Sequence, residues 1–350
     1  MSLSLQSKLH TKSINKPHIE TSLIEVTNKL PLKPPCRIFF KNEYEQPSGS
    51  FKLRGIGNLV YESIKQIQLT KSKKKIEIFA SSGGNAGLAA AYCGFYYNVK
   101  CTVVLPKHSK LVIQEKLKDL GAKIILYGKS INEADQYLKG ILNSIGDDIY
   151  PIYCHPFNNP LIWKGHSSLV DELAESLPRD KIKSIVASFG GGGLYNGIYE
   201  GILKNDLNSD VLLLETKQAP TLTKSLEAND LITLDSVNSL ATSLACSYTT
   251  QSSLEYYHNQ SKIRTNLELI DDLDCLKSCV EFNNIFNEIV EPACGAALSV
   301  CFNKIDLLYK NFKHLKKDDI VVIVVCGGSC TTKDDLKEFE RLVTRSEIKL

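Results

Sequence analysis

The chain has 350 residues, 43% of them hydrophobic, and a formal net charge of +3. This length and apolar content predict about two domains with sizeable cores. So small a charge gives no argument for a nucleic-acid or membrane-surface partner, and no apolar stretch approaches the ~20 residues that span a bilayer. Eleven scattered cysteines, without a CxxC pair or a zinc-ligand pattern, favour reduced thiols in a cytoplasmic protein.

The N-terminal segment gives a second indication of location. Residues 1–19 contain three lysines but neither an acidic residue nor an arginine, and they lack the apolar core of a secretion signal. A disordered arm is the expectation. A mitochondrial presequence is the alternative, although arginine is the usual cation of such segments.

Short apolar or β-branched runs alternate with longer helical patterns along the chain. This alternation predicts an α/β protein with parallel sheets and helices on both faces. The predicted strands are Arg37–Tyr44, Ile76–Ala80, Lys100–Leu105, Lys123–Leu126, Ile149–Cys154, Ser184–Phe189, Val211–Glu215 and Ile320–Cys326. The predicted helices include Phe51–Gln66, Ala86–Tyr97, Lys110–Leu120, Asn132–Ile145, Ile162–Leu177 and Leu194–Lys204. A segment rich in proline and asparagine, at 150–160, is a candidate domain crossing.

One lysine occupies an unusual local setting. Lys52 starts an amphipathic helical pattern behind a turn of Pro, Gly and Ser, and Phe51 precedes it. A lysine held there suits Schiff-base chemistry, because its amine can be desolvated and its pKa lowered. A solvated lysine at an ordinary helix start is equally consistent with these residues alone.

Two glycine-rich turns each join a predicted strand to a predicted helix. The segment Ser81–Gly87 offers a helix start with free N–H groups, to which a carboxylate is the natural ligand. The run Gly190–Gly193 would form an anion nest for a phosphate. It matches neither the Walker pattern nor the dinucleotide fingerprint; Glu215, at the end of the next strand, is the only feature favouring an NAD-dependent oxidoreductase.

Taken in this order, from about Leu23 to Ser329, these segments resemble the pyridoxal-phosphate enzymes of the tryptophan-synthase β fold (fold type II), most closely the catabolic L-serine/L-threonine dehydratases. The resemblance implies two open, mostly parallel sheets flanked by helices, with the cofactor in the interdomain cleft. It also implies a large cofactor-binding domain of residues 1–50 and 155–350, a small substrate-side domain of residues 51–154, and a homodimer.

The resemblance also implies roles for individual residues. Lys52 would carry the cofactor covalently, Phe51 would pack on its ring and Cys326 would face its pyridine nitrogen. The substrate carboxylate would bind to a loop of Ser82, Gly83, Gly84, Asn85 and Ala86, whose asparagine would also contact the cofactor's 3′-oxygen. The phosphate would bind to a loop of Gly190, Gly191, Gly192, Gly193 and Leu194. A structural monovalent cation such as K⁺ would be held by Glu215, Ala219 and Thr221.

The implied reaction converts L-serine to pyruvate and ammonia, and L-threonine to 2-oxobutanoate and ammonia, in amino-acid catabolism that feeds gluconeogenesis. A thiol such as Cys326 is a weak donor and acceptor, so it should leave the ring nitrogen neutral, which favours elimination over transamination. The alternatives are a cysteine synthase-like or D-serine dehydratase-like enzyme and a non-catalytic amino-acid- or cofactor-binding protein.

Two departures from related enzymes refine this expectation. Serine racemases of the same fold place a catalytic serine where this chain has Gly83, so elimination without D-serine formation is expected. Only about 20 residues follow Ser329, which leaves no room for the regulatory domain of biosynthetic threonine deaminases. His155, His166 and Cys294 are interpreted as packed residues rather than catalysts.

Overall fold

The computed structural model describes residues 13–348 and divides the chain into two compact units. The first unit comprises Gln46–Gly165 and the segment that ends at Ile19. The second comprises Glu20–Glu45 and the chain from His166 onward. These boundaries differ from the predicted ones, because residues 46–50 and 155–165 and the described residues before Glu20 belong to the first unit.

Contacts within the first unit explain this assignment. The Asn58 side chain donates a hydrogen bond to the Leu161 carbonyl (2.7 Å), and Gly165 lies directly against the carbonyl of Arg54. The Gln46 amide pairs with the main chain of Ile19 through bonds of 2.9 and 3.1 Å. A composition shift could mark the crossing region, but these tertiary contacts decide on which side each residue lies.

The first unit contains a four-stranded sheet in the order β5-β4-β3-β6, and all its strands are parallel. Its long first helix buries Leu53, Ile56, Val60, Ile64 and Ile67, and this spacing of three and four residues produces one apolar face. Its elements are α1 (Lys52–Thr70), β3 (Lys75–Ser81), α2 (Asn85–Tyr97), β4 (Lys100–Leu105), α3 (Leu111–Asp119), β5 (Lys123–Leu126), α4 (Ile131–Asn143) and β6 (Ile149–Cys154), followed by α5 (Pro160–Ser176), which contains the boundary between the units.

The second unit contains a six-stranded sheet in the order β1-β2-β10-β7-β8-β9. Only the pairing of β1 with β2 is antiparallel. All six residues of the central strand, Ile320–Val325, are buried, as expected for a parallel strand covered on both faces. Its elements are β1 (Leu23–Glu25), β2 (Arg37–Asn42), β7 (Ile182–Ser188), α6 (Gly193–Lys204), β8 (Asp210–Thr216), α7 (Thr221–Ala228), α8 (Gln251–His258), β9 (Thr265–Ile270), α9 (Asp272–Phe286), α10 (Pro292–Phe302), α11 (Asp306–Asn311), β10 (Ile320–Val325) and α12 (Lys333–Ile348).

The fold confirms the predicted α/β architecture and corrects several details. The strand predicted over Arg37–Tyr44 ends at Asn42, because Glu43–Glu45 turns into a 3₁₀ helix. The edge strands β1 and β9 were not predicted: β1 has only three residues, and β9, most of which is only partly buried, lacks the continuous apolar run of the interior strands.

The predicted N-terminal arm lies partly outside the described residues. Residues 1–12 are not described, but part of the following segment contacts the first unit. The Asn15 carbonyl accepts a hydrogen bond from the Tyr97 hydroxyl (2.7 Å), and Pro17 packs against Gly57. Disorder is therefore the wrong expectation for this short stretch. No helix within residues 13–348 has the length and apolar character needed to cross a membrane.

Candidate active site

Lys52 is the first residue of α1 and lies beside the carboxyl edge of the four-stranded sheet. The preceding turn is closed by a bond from Gly49 N to Gln46 O (2.6 Å), with Gly49 at a φ of +79°. The Lys52 side chain is half-buried. Its Nζ donates to the Pro156 carbonyl (2.7 Å) and lies 5.1 Å from the centre of the Phe51 ring. The amine is thus held at a defined position rather than left on a solvated helix start.

The predicted carboxylate loop follows β3 at the same edge of this sheet. Gly84 precedes α2 without a capping side chain, and the first bond within that helix runs from Leu88 N to Gly84 O (3.1 Å). The N–H groups before Leu88 therefore have no partner inside the helix, and the helix dipole favours an anion there. Asn85 is buried, with 8% of its surface exposed. The structure thus places Ser82–Ala86 where a carboxylate could bind.

Gly83 and Gly87 have different surroundings within this loop. A β-carbon at position 87 would overlap the Ser82 carbonyl, so the turn requires glycine there. A β-carbon at position 83 would lie 3.1 Å from the Ser109 Oγ, an oxygen that donates to the Pro106 carbonyl (2.8 Å). Position 83 could therefore accept a small side chain if Ser109 shifts slightly.

The tetraglycine run lies at the carboxyl end of β7, in the second unit. Gly192 has a φ of +88°, and a β-carbon on it would overlap the Ser253 hydroxyl and lie 2.9 Å from Thr249 Oγ1. Thr249 Oγ1 is buried and has no hydrogen-bond partner among the described residues. Helix α6 begins at Gly193, so its positive end meets the same loop. A glycine cradle, a helix start and an orphaned hydroxyl together fit a phosphate group.

Sequence reasoning missed the side chains that support this loop. Asn196 donates to Thr250 Oγ1 (2.9 Å) and accepts from the Ser253 hydroxyl (2.7 Å). Thr250 also caps α8 by accepting from Ser253 N (3.1 Å). The cluster of hydroxyl residues at 249–253, with the spacing of a helix cap, was the available signal.

Cys326 follows β10, the neighbour of β7, and therefore lies at the same sheet edge as the tetraglycine run. It is buried, with 5% of its surface exposed. A hydrogen bond with Cys294 raises the pKa of the Cys326 thiol well above its usual value, and burial and the nearby Glu291 carboxylate act in the same direction. Cys326 therefore keeps its proton.

The predicted cation ligands lie near the carboxyl end of β8. Glu215 caps the following helix: its carboxylate accepts from Leu222 N (2.7 Å), Thr223 N (3.0 Å) and the Thr223 hydroxyl (2.8 Å). Burial raises the pKa of Glu215 to about 7, and these hydrogen bonds oppose the rise. The Thr221 hydroxyl donates to the Cys246 carbonyl (2.6 Å), while the Ala219 carbonyl accepts from Thr221 N (3.0 Å).

The oxygen atoms of Glu215, Ala219 and Thr221 thus occur in one short turn, and their binding of a monovalent cation remains a prediction. No group of three or more histidine, cysteine or acidic side chains among residues 13–348 could hold a metal ion. The two discounted histidines are packed, His166 fully buried and His155 half-buried beside Pro156.

Comparison with known proteins identifies the family of the chain. Residues 14–327 match the family described as "Pyridoxal-phosphate dependent enzyme". The chain is 40% identical over 329 residues to the catabolic L-serine/threonine dehydratase of Saccharomyces cerevisiae, covering 89% of this chain and 90% of that protein. It is 33% identical to an L-serine dehydratase of Dictyostelium discoideum, covering 94% of this chain and 93% of that protein.

The fold is also similar to a solved structure. The crystal structure of an L-serine ammonia-lyase from Rhizomucor miehei superimposes with a TM-score of 0.83 at 29% sequence identity, and the match covers 93% of this chain and 99% of the other. The match therefore extends over nearly the whole of both chains.

Proposed function

The chain belongs to the family of pyridoxal-phosphate-dependent enzymes, and we propose that it is an L-serine dehydratase that also acts on L-threonine. Serine would yield pyruvate and ammonia, and threonine would yield 2-oxobutanoate and ammonia. The similar proteins support the substrate. The reaction type is inferred from Cys326. Its thiol keeps its proton and lies at the same edge of the six-stranded sheet as the tetraglycine run.

Bound pyridoxal phosphate acts as an electron sink that acidifies the Cα–H bond of an attached amino acid. A carboxylate facing the ring nitrogen would hold it protonated and strengthen that sink. The neutral Cys326 thiol is a weak donor and acceptor, so it would leave the ring nitrogen unprotonated and the electron sink weaker. This difference favours elimination over transamination.

Other residues of the chain would bind the substrate and move its proton. Lys52 supplies the amine that links the cofactor and then takes the Cα proton at Nζ. The Ser82–Ala86 loop, at the start of α2, would bind the substrate carboxylate, and the Asn85 amide would contact the cofactor's 3′-oxygen. Gly190–Gly193, Leu194 and the Thr249 hydroxyl hold the phosphate.

Four finer features belong to the same proposal. We expect a homodimer in the cytoplasm, with mitochondria as the alternative location, and a catabolic role that feeds gluconeogenesis. We also expect a monovalent cation at Glu215, Ala219 and Thr221, because their carboxylate, carbonyl and hydroxyl oxygens are the ligand types that hard cations prefer.

The test is pyruvate release from L-serine by the purified, cofactor-loaded protein. Lys52→Ala should abolish release and the cofactor's visible absorbance. Lys65→Ala is the matched control, because it removes an exposed lysine from the same helix. Full turnover by Lys52→Ala would contradict the proposal.

The product also separates the alternatives. Turnover that needs added sulfide would identify a cysteine synthase-like enzyme, and turnover of the D-enantiomer alone would identify a D-serine dehydratase. Cofactor binding without any turnover would leave a binding protein.

A further inference from the structure

A short turn after β6 holds the carbonyl that contacts the Lys52 amine. His155 Nδ1 accepts hydrogen bonds from two backbone groups, Asn158 N (2.8 Å) and Phe157 N (3.2 Å). The imidazole therefore closes the turn around Pro156, as a side-chain acceptor does in an Asx turn. Pro156 has no N–H of its own, and its carbonyl accepts from Lys52 Nζ (2.7 Å).

The imidazole is itself fixed by aromatic neighbours. The Phe157 ring meets it edge to face at 4.6 Å between centres, and the Tyr153 ring does so at 6.1 Å. The Tyr153 hydroxyl is anchored on Asp135 (2.5 Å), which also accepts from the Ser81 hydroxyl (2.5 Å). Ser81 is the last residue of β3, so the same network reaches the residue before the carboxylate loop.

The far side of the turn is fixed as well. The Trp163 indole N–H donates to the Phe157 carbonyl (2.7 Å), which ties the turn to the first turn of α5. These contacts fix a turn whose Pro156 carbonyl accepts a hydrogen bond from the Lys52 amine. A turn that served only to connect β6 to α5 would not need its proline carbonyl aimed at a reactive amine.

We propose that His155 is a positioning residue, whose Nδ1 holds the Pro156 carbonyl in place and through it orients the Lys52 amine. The inference rests on the proposed function only in taking Lys52 as the residue that attaches the cofactor. A lysine side chain has about 2 kcal/mol of rotamer entropy, so a fixed carbonyl limits the directions in which its nitrogen lone pair can point. Correct orientation of a reacting group is a large part of catalysis.

The charge state of the imidazole supports this role. Burial lowers the pKa of His155 to about 4; Asp135 opposes this shift, while Lys52 and Lys139 add to it. His155 is therefore neutral near pH 7, and Nδ1 is available as an acceptor. The ionisable groups around the ring include these three and the Tyr153 phenol beside it.

The experiment compares two substitutions in the holoenzyme. His155→Phe keeps an aromatic ring but removes the acceptor. His155→Asn keeps an acceptor that can close the same turn. His108→Phe applies the first change to an exposed histidine of the same unit and is the control. The readouts are kcat and KM on L-serine, the rate at which bound pyridoxal phosphate exchanges with labelled cofactor in solution, and the unfolding temperature.

We expect His155→Phe to exchange its cofactor faster and to lower kcat, each by roughly tenfold, which corresponds to one hydrogen bond of about 1.4 kcal/mol. Its KM should stay within about threefold, since the carboxylate loop is untouched. His155→Asn and His108→Phe should stay within about threefold of the wild type in kcat, KM and the exchange rate.

The other outcomes decide separately on the inference and on the proposed function. Wild-type exchange and kcat in His155→Phe would overturn it. An equal loss in His155→Asn would assign the ring a packing role only, and so would a loss of kcat that merely follows a lowered unfolding temperature. The exchange assay needs no substrate, so the expected exchange pattern without pyruvate release would retain the inference and reject the dehydratase. A wild-type protein that binds no cofactor would reject both.

Discussion

Gly192 allows the structural basis of cofactor binding to be tested quantitatively. Its φ of +88° costs an L-residue roughly 1–2 kcal/mol. The β-carbon of Gly192→Ala would also overlap the Ser253 hydroxyl and approach Thr249 Oγ1 to 2.9 Å. Overpacking of this kind typically costs about 1–3 kcal/mol. Together the two effects predict a loss of about 2–5 kcal/mol, shared between the free energy of unfolding and the affinity for pyridoxal phosphate.

The chain offers a control that separates strain from overlap. Gly121 has a φ of +76°, yet a β-carbon there would meet no atom within 4 Å. Gly121→Ala should therefore lose only the roughly 1–2 kcal/mol of backbone strain and leave cofactor affinity unchanged. Gly192→Ala should lose more stability and bind the cofactor at least about tenfold more weakly, because roughly 1.4 kcal/mol or more of its loss falls on the phosphate site.

The assays are urea unfolding of the cofactor-free proteins and titration with pyridoxal phosphate followed by absorbance. If Gly192→Ala bound the cofactor as tightly as Gly121→Ala does, the tetraglycine run would not be the phosphate cradle. If both variants lost equal stability, the overlap with Ser253 would be relieved at no cost and the packing argument would be refuted.

Three further predictions follow from the site. Chiral chromatography of residual serine should detect no D-serine from the wild type, since Gly83 carries no acid or base; its appearance would refute elimination without racemisation. K⁺ should raise the unfolding temperature, relative to choline at equal ionic strength, more at pH 8 than at pH 5.5. The reason is that Glu215, with a pKa of about 7, is ionised only at the higher pH. Glu215→Gln should abolish this difference between the two pH values. His155 has a folded-state pKa of about 4, below its usual 6.5, so the unfolded chain binds the proton first as the pH falls. The neutral imidazole should therefore contribute at most about 3 kcal/mol to the free energy of unfolding. This contribution should be complete above pH 6.5 and fall as the pH drops towards 4. Urea unfolding at several pH values should show this decline in the wild type and a smaller one in His155→Asn.

The sequence was most informative where a function depends on a local pattern. Lys52 follows a turn whose residues are adjacent in the chain, and the glycines at 190–193 are a continuous run between a strand and a helix. Strand alternation places the glycine run at the carboxyl end of a parallel strand, and the structure has it there. Lys52 lies beside the carboxyl edge of the other sheet through its bond to the Pro156 carbonyl. The interior strands of the two sheets were predicted well for the same reason, since burial on both faces leaves a continuous apolar signal.

Features that depend on contacts distant in sequence could not be predicted. Thr249 approaches Gly192 across 57 positions only because α8 packs beside the tetraglycine loop. His155 acts on a lysine 103 positions earlier through the carbonyl of Pro156. The composition around 150–160 indicated a crossing, but whether those residues belonged to one unit or the other depended on bonds such as that of Asn58 to Leu161.

The surroundings of Cys326 explain why a thiol at this position remains a neutral partner. Glu291 lies against Gly328, and its carboxylate accepts from Cys330 N (2.9 Å) and the Ser243 hydroxyl (2.5 Å). The hydrogen bond with Cys294 raises the pKa of the Cys326 thiol, and burial and the nearby Glu291 carboxylate act in the same direction. The thiol therefore keeps its proton, and it does so through residues at the start of α10 rather than through its own strand. The preference for elimination thus depends on the packing of α10 against β10 as much as on the choice of cysteine.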